Sequence, residues 1–154
     1  MNSNHTEQLY ALWTQECYLE VGQRILERMP VQSQPAWAAE LLSIVSSRCE
    51  EVPEVSNLIE IARHPTRWSE AHSCFGALRR LTLAAEQEKP STKTNHLFLL
   101  YLAENIAKLT YNAGGYPAPF DPDSGWWIPQ NLKHIIDQVN DPGFTSDVMA
   151  KLFR

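Results

Sequence analysis

Cysteine is too sparse and too scattered to organise this chain. Cys17, Cys49 and Cys74 are odd in number, far apart and without a C-x-x-C pair, so no disulfide framework can be read. Each falls on the apolar side of a helical pattern and reads as a small, reduced core residue. The alternative, one reactive thiol, needs exposure and a basic neighbour. Positive charge is also thin: 13 basic residues stand against 18 acidic ones for a net charge of −5, and Arg79-Arg80 is the longest basic run. No phosphate-neutralising face can be built from that, so nucleic acid is not an expected partner. The longest apolar run, Leu97 to Ala103, is far too short to cross a bilayer. The first residues, MNSNHTEQ, carry no signal-peptide pattern, which together predicts a cytoplasmic protein with no membrane partner. Catalytic templates are missing too: no phosphate-binding glycine loop, no H-E-x-x-H, no G-x-S-x-G and no dinucleotide fingerprint. His5, His64, His96 and His134 are too dispersed for a metal site. No cofactor and no metal are expected.

What is present is helix. At 154 residues and 44% hydrophobic composition, the chain fits one domain that buries about 70% of its unfolded surface. Leu9, Tyr10, Trp13, Cys17, Val21, Ile25 and Met29 recur at helical spacing from Thr6 to Met29. Further stripes follow behind Pro35 and Pro53, then over 66–88 and 95–112, behind Pro129, and around Val148 to Phe153. The 95–112 stretch is apolar around most of its circumference, as befits a central helix. Nothing alternates with a period of two for long enough to make a strand. The expected fold is all-α: a single compact domain, 1–154, of six or seven helices with one rigid aromatic and proline-rich loop.

That loop is YNAGGYPAPFDPDSGWW, residues 111–127, with three glycines, three prolines and five aromatic residues. Gly114-Gly115 suit the left-handed end of a helix, and the prolines restrict the chain to one shape. Its aromatic side chains either pack on the bundle as extra core or stand out as interface anchors. Within it, DPDSG invites a calcium-loop reading that fails: Pro122 sits second, glycine comes fifth rather than sixth, and position twelve is Leu132 rather than glutamate. The stretch ENIAKLTYNAGG with PAPFDPDSGWWI, residues 104–128, resembles a segment of small bacterial helical proteins. The resemblance implies a bacterial source and brings no activity to any residue.

Two further patterns carry chemistry. Tyr101, Glu104, Asn105, Lys108 and Asn112 share one side of the 95–112 helix. They form either a solvent-facing strip with a Glu104–Lys108 pair or the wall of an internal polar pocket, where a desolvated glutamate does acid–base work. Arg67-Trp-Ser-Glu-Ala-His72 is an R-x4-H pattern that resembles the arginine–histidine motif of HEPN-type ribonucleases. That resemblance implies acid–base chemistry at His72 and phosphate stabilisation by Arg67. Trp68 departs from the polar residue usual after the arginine, and the spacing is common by chance.

The first functional expectation is a non-catalytic protein-binding module, of inhibitor, immunity or adaptor type, or one that self-associates. Its contacts would be Tyr116, Phe120, Trp126 and Trp127, with Asp121 and Asp123 as rim charges. The rival is a small-ligand binder or enzyme with a pocket between helix 95–112 and loop 114–128, worked by Glu104, Tyr111 and Lys108. A HEPN-like ribonuclease using Arg67 and His72 is third.

Overall fold

The computed structural model describes residues 3–88, 95–115 and 124–153. Among these every regular element is helical. Eight α-helices follow one another: α1 (Ser3–Thr14), α2 (Tyr18–Glu27), α3 (Gln34–Ser46), α4 (Pro53–Arg63), α5 (Ala71–Glu88), α6 (Asn95–Ala113), α7 (Ile128–Val139) and α8 (Pro142–Leu152). Short 3-10 segments stand at Val31–Ser33, Pro65–Glu70 and Ser124–Trp127. No described helix is long and apolar enough to cross a membrane.

The count exceeds six or seven because the expected first helix is two. Glu16 adopts φ 62. The Glu16 N–H donates to the Trp13 carbonyl at 3.0 Å and the Cys17 N–H to the Leu12 carbonyl at 2.9 Å. That bond pair is a Schellman ending, usually built on glycine. Here a glutamate takes the left-handed position, so no glycine marks the break. Trp13 then meets Tyr18 edge-on across it, ring centres 5.0 Å apart. The expected fourth helix also starts late. Pro65 begins a 3-10 segment, and the Trp68 indole N–H donates to the Ala62 carbonyl at 2.9 Å, so regular α-helix resumes only at Ala71.

Prolines open α3, α4, α7 and α8 within their first two positions, where a missing N–H costs nothing. Asp141 caps α8 by accepting from the Gly143 N–H at 2.9 Å and pairs with Arg48, at the end of α3. Helix α6 is the hub. Leu99, Leu100, Leu102, Ala103, Ile106 and Ala107 are wholly buried, against α3, α4, α5 and α7. It ends as expected at the glycines, although only Gly115 has positive φ (73°). Gly114 is needed for room: a Cβ there would lie 2.8 Å from the Trp68 Cβ. Elsewhere, α2 crosses the Ser124–Trp127 segment so closely that a Cβ on Gly22 would stand 2.5 Å from the Trp126 carbonyl oxygen.

All three cysteines are free, Cys74 buried and the other two partly so. Burial first, then the charge of Glu54, pushes the Cys74 thiol up to about 11; burial raises Cys49 as well. A raised folded-state pKa favours the protonated thiol in the fold. Its stabilising contribution is therefore complete below 9 and is lost as pH climbs from there toward 11. Urea midpoints at pH 8 and pH 10 should differ in that direction, and Cys74 should react with a disulfide reagent at pH 8 far more slowly in the native protein than in urea.

Candidate functional site

The polar side of α6 does not face open water. Tyr101, Glu104, Asn105 and Lys108 line a cleft of about 510 Å³, closed on the far side by Ser124, Trp127, Gln130, Asn131 and His134. The long apolar face of α6 places the helix centrally, and that fixes where its few polar residues can go. They meet the 3-10 segment and the first turns of α7, whose own polar positions lie on the facing side. Ring stacking closes one wall: Phe98 and His134 lie 4.2 Å apart and within 11° of parallel. The volume suits a small organic ligand.

Glu104 is the buried member of this wall, 7% exposed. Its partners come from α5. The Thr82 hydroxyl donates to Oε2 at 2.8 Å, and an Arg79 guanidinium N–H donates to Oε1 at 3.4 Å. Arg79 is half exposed, so its charge is partly screened and the pair adds little by itself. Thr82 is the stronger restraint, since it is wholly buried and its single proton faces both Glu104 and the Leu78 carbonyl. Replacing Thr82 by valine keeps the shape and removes the donor, which should cost about 1–2 kcal/mol in a urea melt. Thr82→Val combined with Glu104→Leu should recover part of that loss, because the carboxylate left short of a donor is gone.

Around Glu104 the other groups are held as firmly. The Tyr101 hydroxyl donates to Glu86 at 2.7 Å. Burial, the Glu86 hydrogen bond and nearby carboxylates push this phenol up to about 12, so it remains a donor throughout the ordinary pH range. The Lys108 ammonium lies 5.2 Å from the centre of the Phe75 ring, a cation–π distance. The side chain of Ser124 is buried, and its hydroxyl oxygen has no hydrogen-bond partner among the described residues. Asn131 is buried beside it.

The sequence-predicted residues divide as follows. The cleft gathers Tyr101, Glu104, Asn105, Lys108 and Trp127; Asn112 stands one turn beyond. Tyr111, expected among the working groups, is buried between α5 and α6. It meets His72 edge-on at 5.2 Å and Phe75 at 6.4 Å. Trp126 is half-buried, while Trp127 is 42% exposed at the cleft rim. Tyr116, Phe120, Asp121 and Asp123 lie outside the described residues. Arg67 is forked onto Glu70 at 3.0 and 3.2 Å, and the Trp68 between it and His72 belongs to the core. Sequence reasoning missed Ser124, Gln130, Asn131 and His134. A signal existed for the last three, whose i, i+1, i+4 spacing marks a polar side on α7.

Among the described residues no group of histidine, cysteine and carboxylate side chains is arranged to hold a metal. No protein-family model matches the chain, and no curated protein or solved structure is detectably similar to it.

Proposed function

We propose that this chain is a non-catalytic binding module whose site is the cleft between α6 and α7. The observation that carries this is the Ser124 hydroxyl, buried at the cleft with no hydrogen-bond partner among the described residues, beside the half-open Trp127 ring. A buried polar group left without a hydrogen bond costs stability, and a ligand atom seated against it removes that cost. The arrangement suits a small molecule with one flat face and polar edges. Trp127 offers a stacking surface, Ser124, Asn105 and Asn131 offer hydroxyl and amide groups, and Arg79 offers a cation at the mouth. Both oxygens of Glu104 are engaged, which fits a residue that orders the wall.

Native mass spectrometry of freshly purified protein tests the proposal. A retained small molecule is expected, and Trp127→Ala should weaken its retention about 30-fold, the loss typical of an aromatic anchor, with the helical fold kept. A retained molecule indifferent to Trp127→Ala would place the site elsewhere.

A partner protein docking on the same rim is the second reading. Its favouring observation is the 42% exposure of Trp127, a residue type that anchors interfaces. An inhibitor, immunity-type or adaptor role in a bacterial cytoplasm is the form it would take. A dimer, or a co-purifying chain lost on Trp127→Ala, would support it over the small-ligand reading. A bare monomer counts against both.

A further inference from the structure

A second cleft system lies where α1, α2, α3 and the end of α8 meet, away from α6. Its inner part, about 560 Å³, is walled by Leu9, Ile25, Met29, Trp37, Leu152 and Phe153. Its outer part, about 380 Å³, is polar and carries Gln8, Glu20, Gln23, Arg24, Glu27 and Arg28. His5 and Arg28 line both parts and mark the seam. An apolar pocket and a charged one thus share these two residues.

The charges at the seam are unevenly paired. Arg24 is held by Glu20 at 2.8 Å, and Glu27 accepts from Gln23 at 3.0 Å. Arg28 has no carboxylate within ion-pair distance among the described residues. The His5 side chain is 6% exposed, and its ring lines both pockets. A neutral imidazole on a cleft wall offers one donor and one acceptor to whatever enters.

We propose that this seam and the apolar pocket behind it form a binding site for a single-tailed organic anion, its carboxylate on Arg28 and His5 and its alkyl or aryl tail between Leu9, Trp37 and Phe153. An apolar wall alone would take any greasy group. The unpaired guanidinium at its mouth selects for a negative head, and a planar carboxylate matches the guanidinium fork. Burial first, then the charges of Arg28 and Arg24, holds the His5 pKa below its ordinary value. The ring is thus neutral at pH 7, with one N–H to donate to the carboxylate. The positive field it sits in is the field an anion would neutralise.

The test is a titration of the full chain with octanoate at pH 7, read at the Trp37 indole N–H by NMR. That N–H donates to the Lys151 carbonyl at 3.2 Å, so it reports on this pocket from a fixed position. Saturable shifts at Trp37 are expected. Decanoate should bind about 15-fold more tightly than octanoate, from two further buried methylenes. Octanol should bind at least about 10-fold more weakly than octanoate, and Arg28→Gln should bring octanoate down to the octanol level while leaving octanol unchanged. Arg28 is exposed, and unchanged octanol binding shows the variant's pocket intact. Octanoate and octanol binding equally, octanoate indifferent to Arg28→Gln, no shift at Trp37, or shifts confined to Trp127 would each overturn the proposal.

Discussion

Replacing Trp68 with alanine should cost about 3–5 kcal/mol, the range for truncating a large buried aromatic. The side chain is 6% exposed, its indole N–H holds the Ala62 carbonyl at the end of α4, and its Cβ packs where a side chain on Gly114 would stand. One residue thus joins the end of α4, the turn into α5 and the end of α6. The loss would lower the melting temperature by roughly 10–15 °C in a chain of this size. It is also a large share of a typical domain's 5–15 kcal/mol. Trp68→Phe should recover most of the packing but still leave the Ala62 carbonyl without its indole donor, at about 1 kcal/mol. Calorimetry on the pair separates the two contributions. If Trp68→Ala melts within a degree or two of the native chain, this side chain is not the joint described.

Gly22→Ala is the second large effect, and here two principles oppose each other. Gly22 lies inside α2, where alanine is favoured over glycine by about 1 kcal/mol from backbone entropy alone. Yet the new Cβ would stand 2.5 Å from the Trp126 carbonyl oxygen and 2.8 Å from its Cα. Those are main-chain atoms, with no rotamer to move aside. Overpacking costs about 1–3 kcal/mol and occasionally more, and an overlap against backbone belongs at the upper end. The clash wins: a net destabilisation of about 2–3 kcal/mol is expected in denaturant melts. Stabilisation by Gly22→Ala would mean that α2 and the Ser124–Trp127 segment are less tightly pressed than the geometry states. Because this contact supports the segment that carries Ser124 and Trp127, the variant should also loosen the α6–α7 cleft.

These two residues show where sequence reading succeeds and where it stops. Proline fixes its own φ, so Pro35, Pro53 and Pro129 announced the starts of α3, α4 and α7 from sequence alone. The apolar circumference of α6 announced a central helix for an equally local reason. The α1–α2 break was invisible because its left-handed residue is Glu16, and because the apolar stripe runs on through Cys17 and Val21. At the site, the α6 stripe was legible as a set, but its environment was not. Whether Glu104 met water or protein depended on Thr82 and Arg79, brought up by a different helix. The adjacent tryptophans looked alike in sequence. What separates them is the pressure of α2 on the Trp126 backbone, marked only by an unremarked glycine at position 22.

The rings of Tyr10 and Trp13 meet Phe153 at 4.5 and 5.9 Å, and the Trp37 indole holds the Lys151 carbonyl. During synthesis this joins two segments made far apart in time. As α1 leaves the ribosome it has α2 for company, with Trp13 against Tyr18, while the Phe153-facing side of Tyr10 and Trp13 stays uncovered until residue 153 has emerged. The hub fares differently, since α3, α4 and α5 are already outside when α6 follows them. Folding on the ribosome would thus set the α3–α6 hub before α1, whose Tyr10 and Trp13 rings are exposed to chaperones in the interval.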